Sequence, residues 1–221
     1  MGKLRNFVTP LHNLTNRDYA ERMFNEKAAN MDVARKFQKE FFDGDRKYGY
    51  GGYKYIIDRW KPVAENFIKT YNLNNNSKVL DVGCGKGFLL YELKKILPKI
   101  NVFGFDISKY SIENSIEDIK DNLIVSDAGS DFPYGDKEFD FVFSIATLHN
   151  LKIMNLGKSL KEVSRVGKQS FIMVESYRNN KELFNLQCWA LTCNAFFSVE
   201  EWEWIFSENK YSGDYEFMFF E

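Results

Sequence analysis

Short, almost wholly apolar runs at residues 79–82, 102–105, 122–125, 139–143 and 170–174 alternate with longer stretches whose apolar side chains return about every third or fourth position. The short runs have the composition of strands buried on both faces, while 60–71, 89–97 and 151–166 have the spacing of amphipathic helices. Such alternation predicts an α/β chain with a mostly parallel sheet. A later helix is expected from the capping box Ser198-x-x-Glu201 through Trp204 and Phe206, and 215–220 reads as a terminal strand. Ahead of the core, residues 15–42 are rich in Ala, Glu, Lys, Met and Arg. They predict one or two helices with a solvated charged face, capped at Thr15-x-x-Asp18.

The first strand runs directly into Asp81-x-Gly83-Cys84-Gly85-x-Gly87 and then into a helical pattern. Glycines at alternate positions let the backbone enter conformations closed to other residues and approach a ligand, so this stretch reads as a nucleotide-binding turn. The dinucleotide fingerprint Gly-x-Gly-x-x-Gly would need its third glycine where Phe88 stands. Asp81 would also repel a pyrophosphate, whereas it would attract an ammonium or sulfonium. Charge and spacing together favour a cationic cofactor over a nicotinamide nucleotide. Asp106 ends the second strand about twenty residues on, where a carboxylate can hold ribose hydroxyls. Asp127, after the third strand, is a candidate acceptor for an adenine amino group.

The ordered set Val-Leu-Asp81-Val-Gly83-Cys84-Gly85-Lys-Gly87, Gly104-Phe-Asp106-Ile107-Ser, Ser-Asp127-Ala128, Phe-Pro-Tyr, Phe139-Asp140-Phe-Val and Thr147-Leu-His149-Asn resembles the class I S-adenosylmethionine-dependent methyltransferases over residues 60–175. The resemblance implies a Rossmann-like, doubly wound α/β fold: a mostly parallel sheet of six to seven strands with helices on both faces and an N-terminal helical cap. Such sheets usually hold seven strands and end in an antiparallel hairpin. Because the sequence stops just after the predicted strand 215–220, one strand is expected to be missing or displaced into 188–197. The resemblance also implies that Asp81, Gly83, Cys84, Gly85 and Gly87 line the methionine end of the cofactor. Asp106 with Ile107 would take the ribose, Asp127 with Ala128 the adenine, and Ser144 and Ile145 would lie beneath, near the methyl group.

Other residues are candidates on their own chemistry. His149, beyond the fourth strand, has an ordinary pKa suited to taking a proton from a hydroxyl, although a histidine that only shapes the loop fits the same pattern. Glu175-Ser-Tyr177-Arg178 puts an acid, hydroxyls and a guanidinium at a strand's C-terminal edge, so Tyr177 and Arg178 are candidate substrate contacts. The aromatic and glycine cluster over 48–55, including Tyr50, suits a loop that closes on a ligand, and equally a packed connection.

Composition narrows the substrate. Thirty Lys and Arg against thirty-one Asp and Glu give a net charge of −1, without the basic field that duplex nucleic acid calls for. Three cysteines and two histidines carry no metal-ligand spacing, so no metal is expected, and Cys84 reads as a small packing residue. The first residues lack an apolar signal core and no window has the length of a membrane span, which implies a cytoplasmic protein. A single domain is expected, with a cap at 1–58 and the core at 59–221. The expected activity is methyl transfer from S-adenosylmethionine, leaving S-adenosylhomocysteine, to a phosphate, carboxylate or sugar-hydroxyl oxygen of a small polar metabolite. Arg59, Lys61 or Arg178 would orient an anionic acceptor. A nitrogen acceptor and a non-catalytic S-adenosylmethionine-binding subunit are the alternatives. The segments Asp43-Gly-Asp-Arg-Lys-Tyr-Gly-Tyr50-Gly-Gly-Tyr53 and Arg59-Trp-Lys-Pro-Val-Ala-Glu65 resemble methyltransferases encoded with bacterial surface-polysaccharide (capsule) modification genes.

Overall fold

In the computed structural model, which describes residues 2–221, the N-terminal segment forms α1 (Thr9–His12), α2 (Tyr19–Phe24), α3 (Lys27–Ala34) and α4 (Lys39–Asp43). The core follows as α5 (Lys61–Tyr71), β1 (Lys78–Val82), α6 (Phe88–Ile96), β2 (Asn101–Asp106), α7 (Lys109–Glu113), β3 (Leu123–Val125) and β4 (Phe139–Ile145). It closes with α8 (Ile153–Val166), β5 (Gly167–Glu175), α9 (Asn180–Trp189), α10 (Val199–Glu208) and β6 (Asp214–Met218). The strands lie in the order β3-β2-β1-β4-β5-β6, and every pairing is parallel. This is the doubly wound Rossmann-like order, whose direction reverses between β1 and β4 and opens a crevice at their C-terminal ends.

Both faces of the sheet are covered. Val79, Phe141, Phe143, Phe171 and Met173 point to the side packed by α5 and α6, where Phe67 meets the Phe141, Phe143 and Phe171 rings at 5.0–5.2 Å. Leu80, Val82, Val142, Ile172 and Val174 point to the side packed by Leu156, Leu160 and Val163 of α8 and by Trp202 and Phe206 of α10. Two-sided burial explains why the strands read as unbroken apolar runs.

The sheet ends differently from the expected hairpin. Among the described residues it has six strands and no antiparallel member: β6 pairs in parallel with β5, and 188–197 holds the end of α9 and irregular chain instead of a displaced strand. The N-terminal helices are also more broken than the composition suggested. Glu26 and Phe37 have φ of 48° and 50°, and these left-handed residues separate α2, α3 and α4. The α2 cap is Asp18, whose side chain accepts from Glu21 N, and not Thr15. The Ser198/Glu201 capping box is present with both reciprocal hydrogen bonds.

The N-terminus is fastened to the far edge of the sheet. Buried Glu216 on β6 accepts from Phe7 N at 2.6 Å, Val8 N at 3.0 Å and Thr9 N at 2.6 Å, while Arg5 pairs with Asp214. Val8 is thereby buried against the α5 side of the sheet, and the helices that follow are carried over the C-terminal ends of the strands.

Candidate functional site

A cavity of about 680 Å³ opens at the strand ends, roofed by the N-terminal cap. One half of it is built by the glycine turn. Gly83 and Gly85 have φ of 84° and 55°, and a Cβ at Gly83 would stand 2.1 Å from Thr147 Oγ1, so only glycine allows this turn and the loop after β4 to lie together. Ala146 itself takes φ of 53° at the end of β4, a strained conformation for a non-glycine residue, and brings Thr147 over the turn. Gly83 N and Cys84 N both donate to Phe105 O, which ties the turn to β2.

Two acids face this half. Asp106 Oδ2 accepts from Gly85 N at 2.9 Å and Oδ1 from Ser108 N at 2.8 Å, so the carboxylate is held rigidly with lone pairs to spare. Burial pushes its pKa up, opposed by those backbone hydrogen bonds. Asp81 is 6% exposed and lines the cavity, yet it is given no hydrogen-bond partner among the described residues. Burial, then the charge of Asp106, push the Asp81 pKa well up. An isolated pair of buried acids is costly, and a cation bound between them relieves that cost. The residues therefore fit an adenosyl cofactor with a positively charged sulfonium. Asp127 lines the same half, its Oδ1 fixed by Gly129 N at 2.8 Å, beside Ala128, Ile107 and Ile145.

Several candidates from the sequence lie elsewhere. Ser144 is fully buried and donates to Val82 O at 2.9 Å, a link between β4 and β1 that does not reach the cavity wall. Gly87 is also off the wall, because a Cβ there would meet Ile119 Cδ1 at 2.6 Å. Cys84 lines the cavity, and burial pushes its thiol pKa well up, in keeping with a packing role. Tyr50 lines it too; although 44% exposed, the ring looks into the enclosed space, where desolvation pushes the phenol up to about 12. Tyr53, of the same aromatic and glycine cluster, packs 4.4 Å from Tyr50, stacks on Phe88 at 4.7 Å and lies against Gly85.

The three candidate catalytic residues are not brought together at the cavity. His149 is 3% exposed and off the wall, its Nδ1 accepts from Glu175 N at 3.2 Å, and burial lowers its pKa to about 3. A ring whose acceptor nitrogen is occupied and whose cation is this costly is a poor base. Tyr177 and Arg178 lie in a separate surface cleft with Leu4, Arg5 and Phe217, where Arg178 pairs with Glu182 and Glu221. Arg59 lines the cavity; Lys61 does not.

The residue on the wall is instead Glu175, the last of β5. Its Oε2 is buried without a hydrogen-bond partner, 3.5 Å from His149 Nε2. Burial pushes its pKa up to about 7, with Arg17 and Lys27 acting in the opposite direction. Strand alternation carried the signal: Glu175 shares parity with Phe171 and Met173, on the cap side of the sheet. His12, Arg17, Arg46 and Trp189 complete this end of the cavity. No group of His, Cys, Asp and Glu suited to a metal is found among the described residues.

Comparison with known proteins agrees with this geometry. Residues 73–213 match the family described as "Methyltransferase domain". The tRNA U34 carboxymethyltransferase of Nautilia profundicola is 30% identical over 43% of this chain and 33% of its own length. Malonyl-[acyl-carrier protein] O-methyltransferase 1 of Ilyobacter polytropus is 29% identical over 61% of this chain and 48% of its own. The chain thus spans a third to a half of these two relatives. The solved structure of the YcgJ protein of Bacillus subtilis superposes with a TM-score of 0.53 at 23% identity, over 66% of each chain, and shares the fold. With an all-parallel Rossmann-like sheet, a glycine turn backed by two acids, and a family match over most of its length, the chain belongs to the methyltransferase-domain family, with the features of its class I S-adenosylmethionine-dependent members.

Proposed function

We propose that the protein transfers a methyl group from S-adenosylmethionine to an oxygen of a small polar metabolite. The observation that carries this reading is Asp81, a buried carboxylate without a hydrogen-bond partner, set at the tip of β1 against the glycine turn and Asp106. When bound, S-adenosylmethionine supplies an electrophilic methyl on a sulfonium. The chain's own part is to hold that cation, align an acceptor and exclude water.

Asp106 would bind the ribose, Asp127 and Ala128 the adenine, and Ile107, Ile145 and Tyr50 the flanks of the nucleoside and methyl. Tyr50 and Tyr53 sit over the turn and would keep water from the reacting atoms. The Glu175 carboxylate, which lines the cavity, gives the proton of a hydroxyl acceptor a place to go, with His149 behind its Oε2 as a positioning residue. A cavity of about 680 Å³ in a chain of net charge −1 supports a small acceptor, and the resemblance of 43–53 and 59–65 favours a surface-polysaccharide precursor. Among the described residues no helix is long and apolar enough to cross a membrane.

Labelled-methyl turnover against sugars, sugar phosphates, hydroxy acids and RNA tests the reading, alongside binding of S-adenosylhomocysteine. Turnover with a small oxygen acceptor would support it. Tight cofactor binding with label moving only to RNA or to nitrogen would replace its acceptor half.

A further inference from the structure

The end of the cavity opposite Asp81 carries more positive charge than the fold needs. Three guanidiniums surround the Trp189 indole, with Arg22 at 4.7 Å, Arg46 at 5.1 Å and Arg17 at 5.4 Å from the ring centroid. No ion pair to a carboxylate is found for any of the three among the described residues. Burial, then the charge of Arg46, lower the Arg22 pKa to about 10; Arg17 is lowered by burial too. Like charges drawn together without a carboxylate in contact are destabilising, so something must account for them.

Part of the cluster has a structural explanation. The carbonyls at and just beyond the C-terminus of α9 accept from Arg22 Nε (Trp189 O, 3.3 Å), Lys27 Nζ (Cys188 O, 2.7 Å, and Ala190 O, 2.8 Å) and Arg35 Nε (Leu191 O, 3.3 Å), a charged cap on a helix end. Arg17 and Arg46 lie outside that explanation. Neither touches an α9 carbonyl, both line the cavity, and Arg17 keeps a buried Nε–H without a partner. Their other contacts fix them in place: Arg17 Nη1 donates to Thr15 O and Nη2 to His12 Nδ1, while Arg46 Nη1 donates to Gly49 O. His12 stays neutral because burial, then Arg17, lower its pKa to about 3. Two immobilised guanidiniums on one wall, with donors left over and no carboxylate at ion-pair distance, have the form of an oxyanion seat, and Glu175 is the nearby acid whose charge acts on Arg17.

We propose that Arg17 and Arg46 hold a phosphate or carboxylate of the acceptor beside Trp189, so that the substrate is an oxyanion-bearing metabolite anchored at one end of the cavity and methylated toward the other. This rests on the methyltransferase reading and narrows its acceptor. The cap then contributes the substrate's charged handle as well as the roof, and Glu175, on the same wall, is left to face an uncharged hydroxyl of that substrate.

The test uses the full chain saturated with S-adenosylhomocysteine and titrated calorimetrically with inorganic phosphate, and separately with acetate. Saturable binding of either anion is expected; the arm that binds identifies the handle as phosphate or carboxylate. Arg17→Gln with Arg46→Gln should weaken that binding about tenfold or more, as loss of charge-assisted hydrogen bonds does, with S-adenosylhomocysteine affinity unchanged. Phenylglyoxal labelling of the unmodified chain, read by peptide mass spectrometry, needs no variant: the anion should protect Arg17 and Arg46. If the loaded protein takes neither anion, or takes one equally well after both substitutions, the proposal is overturned. Phosphate that binds only the unloaded protein and is displaced by S-adenosylhomocysteine would assign the arginines to the cofactor's own carboxylate, and would also overturn it. Failure of S-adenosylhomocysteine to bind at all is a separate result, and it strikes the methyltransferase reading.

Discussion

Lys86 Nζ lies 2.6 Å from Asp43 Oδ2, which ties the glycine turn to the last helix of the cap. The same ammonium donates to Tyr53 O at 2.9 Å, while Tyr110 Oη and Tyr53 N donate to the two oxygens of Asp43 at 2.7 and 2.9 Å. Burial acts to raise the Asp43 pKa, but hydrogen bonds from Lys86, Tyr110 and Tyr53 outweigh it and hold the carboxyl below its ordinary value. The stabilisation is therefore present above the unfolded pKa and is lost only as pH falls through the lowered one, so the latch is closed at neutrality.

Removing the Lys86 charge while keeping its stem should open the latch. Lys86→Met is expected to cost about 1–3 kcal/mol, the penalty of leaving a buried ionic acceptor short of a partner. Urea unfolding measures the loss, and limited proteolysis should show faster cleavage between residues 37 and 55. Unchanged stability and unchanged cleavage would mean that aromatic packing alone holds the cap.

Asp106→Ala should weaken S-adenosylhomocysteine binding by about ten- to a hundredfold, since it removes both the proposed ribose acceptor and the support of Gly85 N. Calorimetry on the folded variant gives the number. Equal affinity would remove Asp106 from the site.

The proton acceptor separates Glu175 from His149. With the Glu175 pKa near 7, single-turnover methyl transfer to a hydroxyl acceptor should rise with pH through about 7 in the wild type, as the carboxyl ionises. Glu175→Gln should lower the rate by about a hundredfold or more and abolish that limb. His149→Ala should retain the limb with its midpoint moved. A wild-type rate that is flat from pH 6 to 8 would assign Glu175 no part in proton transfer.

Stability should follow the same carboxyl in the opposite sense. The folded pKa of Glu175 is raised from 4.5 to about 7, so the fold binds more protons than the unfolded chain in that window and loses stability as pH rises through it. The loss is on the order of 3 kcal/mol and is complete above pH 7. Glu175→Gln is therefore expected to stabilise the protein at about pH 8 and to change little at about pH 4.5, as read from urea midpoints. A variant less stable at the higher pH would reverse the sign of the burial argument.

The N-terminal fastening is testable on its own. Glu216→Ala orphans the backbone N–H groups of Phe7, Val8 and Thr9, and about 3 kcal/mol of stability should go with them. Glu216→Gln should lose less, because its carbonyl still accepts.

Apolar strands that end in a glycine turn, and acids at the ends of β1 and β2, were readable because local chemistry dictates them: glycine takes the positive φ of Gly83 and Gly85 most readily and leaves room for Thr147 at Gly83, and short two-sided strands bury runs such as Phe141–Val142–Phe143. What the chain did not disclose depends on contacts distant in sequence. Arg17 and Arg46 look like solvated helix charges until α9 brings Trp189 between them. His149 looks like a base until the fold spends its Nδ1 on Glu175 N and buries the ring. Tyr177 and Arg178 follow Glu175 by two and three residues, but the chain leaves the sheet after β5 and takes them to another cleft.

The role of Asp81 is measured most directly by calorimetric titration of the purified, folded chain and its Asp81→Asn variant with S-adenosylhomocysteine, whose ammonium the carboxylate can also engage. The wild type should bind one equivalent, and the variant should bind about tenfold more weakly or worse, as expected when a buried carboxylate loses its charge opposite a cation. A folded wild type that takes up none, or a variant that binds just as tightly, would contradict the assignment of this site to a cationic methyl donor.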